Sequence, residues 1–392
     1  MYRLSLEMSN YNICEYIFID FQVYLLFFCI NVKIVKILRK SDEMSPTAAE
    51  QIIEKKDKLY ELDYMRFIAC FAVMIVHITA TGVEEYIHGS FPYMLMLIVN
   101  RSLKFTTPVF ILLSGVTSFY SYGYKNREFK YMEFLKKRLS KVIVAYFVWC
   151  IIYYAAYIYF GYYAIDIKFF VKSVLQGTMS YHLYFVIIII QMYIIGPIFY
   201  FILKNSEKKV TILIFAGIIT YLCAEFIRFN LSDRIFLKYM AFYMLGIYIT
   251  LEYNNYFTWI KKNKLFIISG YIMMSIIYTV ASYYNSAAST LAWFLFSSMS
   301  LFFVYLIGLL MKDKLKNIYS FIKVFGQSSY YIYLMHPLVL AIMIIYAENN
   351  FLSVTHKIIL NTFTVIPITV ISCLTYTVLK NKFKKEKLAI SN

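Results

Sequence analysis

The chain has 392 residues, of which 61% are hydrophobic, 20% aromatic and only 16% charged. Its mean hydropathy is +0.63, whereas soluble domains are about a quarter charged and far less apolar. The composition excludes a soluble globular protein and predicts an all-α polytopic membrane protein. The net charge of +17 does not indicate nucleic-acid binding, because most basic residues lie in short segments between apolar stretches.

Residues 1–59 form an N-terminal extension ahead of the main apolar segments. A weak hydrophobic segment covers 16–38, but its unbroken apolar core, 23–30, is shorter than a membrane span needs. It is not a clean signal peptide either, since its positive charges follow the apolar stretch. Two interpretations stay open: an extra helix with its basic end inside, or a stretch ahead of a natural start at Met44. Residues 46–62 are expected to form a cytosolic amphipathic lead-in.

Ten apolar stretches follow within residues 60–380, and together they predict a ten-helix membrane domain. The predicted spans are 64–83, 103–121, 142–164, 183–203, 210–227, 236–251, 265–284, 291–311, 326–346 and 358–379. Twenty-five Lys and Arg fall in the segments assigned to the inner side and eight in the outer segments. By the positive-inside rule, both ends of the ten-helix core belong in the cytoplasm, and a basic cytosolic tail covers 381–392.

The first core span carries ionisable residues within an apolar run, which is costly in a membrane and usually marks a functional site. Arg66 lies at the start of this span and His77 follows eleven residues later. In a helix, this spacing brings the two side chains to nearly the same face, about 16 Å apart along the axis. Asp63, one turn earlier, is the expected partner of Arg66. Because an imidazole exchanges protons near neutral pH, His77 is a candidate general base. A structural core histidine is the alternative.

Further candidates lie in later spans, and each has a structural alternative. Ser114 and Gly115 in the second span favour close helix packing over nucleophilic catalysis, because no GxSxG turn surrounds the serine. His182 opens the fourth span, where an interfacial aromatic belt would also hold it. His336 precedes Pro337, which is expected to loosen the helix. His336 is therefore either catalytic or bonded to a freed carbonyl.

Arg138 and Lys141 are three residues apart at the expected entrance of the third span, on one helix face. The pair is either the topology signal itself or a binding site for the phosphates of a cytosolic nucleotide-bearing donor. The six cysteines include no CxxC pair. They predict small buried core residues, and neither a disulfide framework nor a metal site is expected.

Five motifs, taken in order, resemble those of acyltransferase family 3, a family of integral membrane proteins, over about residues 60–380. The matching residues are Leu62, Asp63, Arg66 and His77; Pro108, Phe110, Ser114 and Gly115; Arg138 and Lys141; His182, Leu183 and Phe185; and Ser329, Ile332, Tyr333, Leu334, His336 and Pro337. Two positions depart from the family pattern. Lys141 replaces the second arginine of an Arg-x-x-Arg pair and so lacks the bidentate fork, and Tyr184 replaces a tryptophan.

The resemblance implies transfer of an acyl group, expected to be acetyl, in the bacterial cell membrane. The donor would be cytosolic acyl-coenzyme A, and the acceptor a hydroxyl of an extracytoplasmic surface glycan or lipid-linked sugar. No bound cofactor is expected.

The same resemblance suggests roles for individual residues. Arg138 and Lys141, together with Arg66, would hold the phosphates of the donor. His77 would deprotonate the acceptor hydroxyl or take the acyl group briefly, and His182 would help to place the acceptor. The alternative within the same fold is an exopolysaccharide exporter or flippase, in which His77 is a gate or pore residue.

Overall fold

The computed structural model describes residues 59–125 and 127–390, and within these ranges the chain forms helices and no β-strand. Apart from Leu59, the expected N-terminal extension lies outside the described residues. The helices in chain order are α1 (Glu61–Glu85), α2 (Phe91–Ser102), α3 (Thr106–Gly123), α4 (Tyr131–Tyr159), α5 (Ile167–Gln176), α6 (Tyr184–Lys204), α7 (Lys209–Phe226), α8 (Met240–Leu251), α9 (Tyr253–Lys262), α10 (Lys264–Tyr283), α11 (Ser289–Lys314), α12 (Tyr319–Asn349) and α13 (Val354–Ile390).

Nine helical stretches in the described part of the chain are long and apolar enough to cross a membrane. This confirms the prediction of an all-α polytopic membrane protein. Each of the ten predicted spans coincides with helix, but the sixth, Phe236–Leu251, is shorter than the other nine. The expected basic tail is helical as far as Ile390, because α13 runs on past the predicted end of the last span. The cytoplasmic placement of the two core ends stays a prediction.

Three helices lie in segments that were expected to be loops: α2, α5 and α9. The Ser90 side chain accepts a hydrogen bond from Tyr93 N at the start of α2, where a proline occupies the first turn. Asp166 caps α5 by accepting bonds from two backbone N–H groups, and Gly177 ends that helix with φ +67°. These are short helices with local caps, which a search for long apolar runs does not detect.

The third predicted span begins earlier than expected, at Tyr131 and not at 142. The added segment is helical because Phe134, Leu135 and Leu139 are buried against neighbouring residues. Arg138 and Lys141 therefore lie inside α4 and not in its first turn, and their position at the membrane entrance stays a prediction.

The described residues divide into two compact units. The first unit comprises 130–195 and 222–238, and contains α4, α5 and the adjoining parts of α6 and α7. Its amphipathic helix α5 carries a groove of about 380 Å³, lined by Ile167, Lys168, Val171, Lys172, Leu175 and Gln176. None of the predicted site residues lines this groove.

The second unit contains the remaining described residues, and α1 is its central helix because it packs against α2, α3, α11, α12 and α13. One core cluster joins α1, α12 and α13 through Cys70, Val73, Met74, Phe325, Ile332 and Cys373. A second cluster joins the same three helices through Ile78, Val339, Leu340 and Val365. Because lipid is as apolar as these side chains, close packing holds the helices together.

Helices α3 and α8 of the second unit approach each other at two glycines. A Cβ on Gly115 would overlap the carbonyl oxygen of Tyr243, and one on Gly246 would overlap the carbonyl oxygen of Leu112. Only residues without a side chain allow this separation of the two backbones. Gly115 therefore lies at a close helix contact, as the packing interpretation of its motif predicts.

Candidate active site

Two histidines lie side by side in the second unit, His77 on α1 and His336 on α12. Their ring centroids are 5.3 Å apart and the ring planes are inclined by 36°. His336 is fully buried and His77 is partly buried. Nothing local in the sequence brings α1 and α12 together, so the two histidines were predicted separately and not as a pair.

The protonation of His336 is fixed by its own helix. Its Nδ1 lies 2.9 Å from the carbonyl oxygen of Ile332. A carbonyl only accepts hydrogen bonds, so Nδ1 is the nitrogen that carries the proton and Nε2 has the lone pair. The helix continues through Pro337 to Asn349. His336 thus bonds to a carbonyl one turn back in its own helix, and it also lies next to His77.

At the start of α1, Asp63 links Arg66 to α12. Arg66 Nη1 lies 2.9 Å from Asp63 Oδ1, and the Arg66 side chain keeps 21% of its surface exposed. The hydroxyl of Tyr319 donates a hydrogen bond to Asp63 Oδ2 at 2.9 Å. Gly326 allows this approach of α12, because a Cβ there would lie 3.0 Å from Asp63 Oδ1. The guanidinium is thereby oriented while part of it stays accessible.

A second buried carboxylate, Glu61, lies in the same first turn of α1 and is fully buried. Its Oε2 is 3.1 Å from Lys312 Nζ on α11. Its Oε1 accepts hydrogen bonds from the hydroxyls of Tyr253 at 2.7 Å and Tyr305 at 3.4 Å. Burial, together with the charge of Glu61, raises the pKa of the Tyr253 phenol, which therefore remains a donor. The sequence analysis missed this network, for which the only local signal is an acidic residue at the start of an apolar span.

A polar cluster surrounds the turn of α1 that contains His77. Asn100, at the end of α2, is almost fully buried. Its Nδ2 donates to the carbonyl oxygen of Val76 at 2.8 Å and to Thr79 Oγ1 at 3.1 Å. Arg101 Nη1 donates to Asn100 Oδ1 at 2.6 Å. The expected assignment of this segment to an outer loop gave Asn100 and Arg101 no role, yet they lie against the helix that carries His77.

The remaining predicted site residues belong to the first unit. His182 is buried in the short turn Tyr181–Leu183, with its ring centroid 5.4 Å from that of Tyr153. On α4, Arg138 is partly exposed and Lys141 is exposed. Their proposed roles in acceptor placement and donor binding therefore rest on residues of a different unit from His77.

The same unit contains buried polar residues that the sequence analysis did not single out. Gln191 Nε2 donates to the carbonyl oxygen of Arg234 at 2.9 Å, and Arg234 Nε donates to that of Gln176 at 2.7 Å. Each bond joins segments that are far apart in the chain, so no local sequence pattern predicts it.

The described residues contain no group of three or more His, Cys, Asp and Glu that could hold a metal ion. The four cysteines in that part of the chain have free thiols. Cys70, Cys150 and Cys373 are buried, and Cys223 is partly buried. Cys70 and Cys373 belong to the core cluster described above.

A family model described as an acyltransferase domain matches residues 59–379. The chain belongs to acyltransferase family 3. It is an integral, multi-pass bacterial membrane enzyme that transfers acyl groups other than aminoacyl groups.

Relatives of this acyltransferase occur in staphylococci. A protein of Staphylococcus aureus (strain MSSA476) is 23% identical, and the alignment covers 75% of this chain and 85% of that protein. A protein of Staphylococcus epidermidis is 24% identical, with 75% and 84% covered. Both are described as a probable poly-beta-1,6-N-acetyl-D-glucosamine export protein. No solved structure matches the chain significantly.

Proposed function

We propose that this acyltransferase moves an acyl group, expected to be acetyl, from cytosolic acyl-coenzyme A to a hydroxyl of an extracytoplasmic glycan or lipid-linked sugar. Membership of the family supports acyl transfer. The names of the staphylococcal relatives support a polysaccharide as the acceptor. The observation that carries the proposal is the pair formed by His77 and His336 within the helical core, where ionisable residues are costly unless they serve a function.

The proposed chemistry uses His77 as the general base. The acceptor oxygen attacks the thioester carbonyl carbon while its proton passes to the imidazole of His77. The carbonyl oxygen takes the negative charge of the tetrahedral intermediate. When the C–S bond breaks, the leaving thiolate takes the proton from the imidazolium, and His77 returns to its neutral form. His336 is proposed to position His77, since the two rings lie side by side and the bond to Ile332 holds the ring of His336 in place.

The other predicted residues take roles that can be tested one by one. Arg138 and Lys141 are proposed to bind the phosphates of the donor, to which Arg and Lys form charge-assisted hydrogen bonds. Arg66 is proposed to assist them, since Asp63 orients its guanidinium and part of it is accessible. His182 is proposed to help place the acceptor.

The deciding experiment incubates the purified protein with labelled acetyl-coenzyme A and a panel of glycans that includes poly-β-1,6-N-acetylglucosamine. We expect an ester-linked label on one acceptor, and its loss in His77→Ala. The matched control is His356→Ala, which removes an exposed histidine bonded to Ser353 and should keep full transfer. Full activity of a stably inserted His77→Ala variant would contradict the proposal.

The names of the staphylococcal relatives favour one second function, export of an exopolysaccharide by the same fold. In that case His77 would be a gate or pore residue. Proteoliposomes loaded with labelled glycan separate the two functions. Translocation without any ester formed supports the exporter, whereas ester formation from acyl-coenzyme A supports the acyltransferase.

A further inference from the structure

The cations around α1 differ in whether they have a carboxylate partner. Arg66 is paired with Asp63, and Lys312 is paired with Glu61. Arg101 and Lys104, which lie at the end of α2 and in the turn before α3, have no carboxylate within ion-pair distance among the residues that the structure describes. Cations without counter-charge are unfavourable in a low-dielectric region.

The position of Arg101 relative to His77 is fixed by hydrogen bonds. Arg101 is held by Asn100, which in turn is bonded to the backbone of Val76, the residue before His77. The Nε–H of Arg101 is buried and has no hydrogen-bond partner within the described ranges. A buried charged donor left without an acceptor is costly. An anionic ligand at this position would supply the missing acceptor.

Lys104 completes this basic pair. It lies in the turn that follows Arg101, where its backbone N–H donates to the carbonyl oxygen of Arg101 at 3.2 Å. Its side chain is exposed and can reach a ligand. Arg66, by contrast, lies about 16 Å from His77 along the helix axis. Arg101 is instead joined through Asn100 to the turn of α1 that contains His77.

We infer that Arg101 and Lys104 form the anion-stabilising site of the acyl-transfer centre, and that they stabilise the oxyanion of the tetrahedral intermediate. This inference rests on the proposed function. As the acceptor oxygen bonds to the thioester carbon and its proton moves to His77, the former carbonyl oxygen becomes negatively charged. Fixed cations placed where that charge develops lower the free energy of the intermediate. The charge returns to neutral when the C–S bond breaks and the thiolate is protonated by His77.

The test compares steady-state transfer by Lys104→Met and Lys104→Arg in the purified full-length protein, with acetyl-coenzyme A as donor. We expect Lys104→Met to lower kcat by about 100-fold, the size of effect seen when one oxyanion-stabilising group is removed. The KM for the donor should change by no more than about twofold, because the ground state carries no such charge. Lys104→Arg, which keeps the charge, should recover most of kcat.

A control separates this effect from a general loss of positive charge. Lys357→Met removes a lysine of the same unit whose charge is balanced by Glu85 at 2.7 Å, and its kcat should stay at the wild-type value. The thermal midpoint of Lys104→Met should be unchanged or raised, since a cation without a counter-ion contributes nothing to the stability of the empty protein.

Three results would overturn the inference. They are an unchanged kcat in Lys104→Met, a rise in KM with kcat unchanged, and a lowered thermal midpoint that accounts for the lost activity. If His77→Ala is inactive while Lys104→Met is fully active, only this inference fails. If the wild-type protein forms no ester with any acceptor, the proposed function fails and the inference fails with it.

Discussion

The hydroxyl of Tyr319 on α12 donates a hydrogen bond to Asp63 on α1, with 2.9 Å between the phenolic oxygen and Oδ2. The other carboxylate oxygen of Asp63 is 2.9 Å from the guanidinium of Arg66. Asp63 therefore connects the two helices that carry His77 and His336, and it sets the direction of Arg66 at the same time.

Replacing Tyr319 by phenylalanine tests whether this connection orients Arg66. We expect Tyr319→Phe to lower the free energy of unfolding by about 1–2 kcal/mol, because a bond to a charged group is lost, and to raise the KM for acyl-coenzyme A. The control is Tyr86→Phe, which removes an exposed hydroxyl contact with Thr355 and should change neither quantity. Denaturation in detergent and donor titration measure the two effects, and an unaltered KM in Tyr319→Phe would count against the role of Asp63.

Replacing His336 tests the positioning role of its imidazole. We expect His336→Gln to lower kcat by about 100-fold, a loss within the range of a disrupted acid–base group, while the KM for the donor stays near the wild-type value. The control is His88→Gln, which replaces an exposed histidine that stacks on Tyr283. This variant is expected to keep the wild-type kcat and KM. Single-turnover acyl transfer is the measurement. Wild-type turnover in His336→Gln would show that this histidine is structural only.

The contact between α3 and α8 predicts a sharp response to one added methyl group. Gly115→Ala places a Cβ against the carbonyl oxygen of Tyr243, and overpacking of this kind costs about 1–3 kcal/mol. Gly217→Ala is the control, since its new Cβ would meet only Phe294, at 3.6 Å. Thermal midpoints in detergent should fall for the first variant and hold for the second. Equal midpoints would mean that the two helices can separate without cost.

The pair of Glu61 and Lys312 is suited to a double-mutant cycle. Lys312→Met leaves a fully buried carboxylate without its cation and is expected to lower the free energy of unfolding by about 3 kcal/mol. Adding Glu61→Gln removes the uncompensated charge and should restore part of the loss. Strictly additive effects in the double variant would show that the two residues do not interact.

Alkaline pH should destabilise the protein through Tyr253. Its pKa is raised by burial and by Glu61, whereas a tyrosine in the unfolded chain ionises near pH 10. The folded form then holds a proton that the unfolded form releases. The stability contributed by this phenol is complete below about pH 10 and is lost as the pH rises further. Thermal midpoints between about pH 9 and about pH 11 should fall more steeply for the wild type than for Tyr253→Phe.

Hydropathy alone located the long helices, because a membrane span needs only a run of apolar residues. It failed where helix formation depends on local caps, as at Ser90 and Asp166. It also misplaced the start of α4, since the segment before 142 is amphipathic and its charges were taken for a loop.

The candidate site was predictable only where its contacts are local. The pairing of Asp63 with Arg66 follows from their separation of three residues on one helix. The neighbours of His77 come from α2 and α12, and no spacing in the sequence specifies which helices pack against α1. For this reason His336 was predicted without its partner His77, and Asn100, Arg101 and Tyr319 were not predicted at all.

Helix α12 contacts α1 at two positions along its length, and the backbone of α12 is less rigid at one of them than at the other. At Gly326 no side chain separates it from Asp63, so the two helices are tightly joined there. Pro337 has no backbone N–H, so the helix bond that would run from residue 337 back to the carbonyl of Tyr333, across His336, is missing from α12. Bending of a helix concentrates at such a position. Flexing of α12 would therefore alter the spacing between the two imidazoles while leaving the Asp63 contact unchanged.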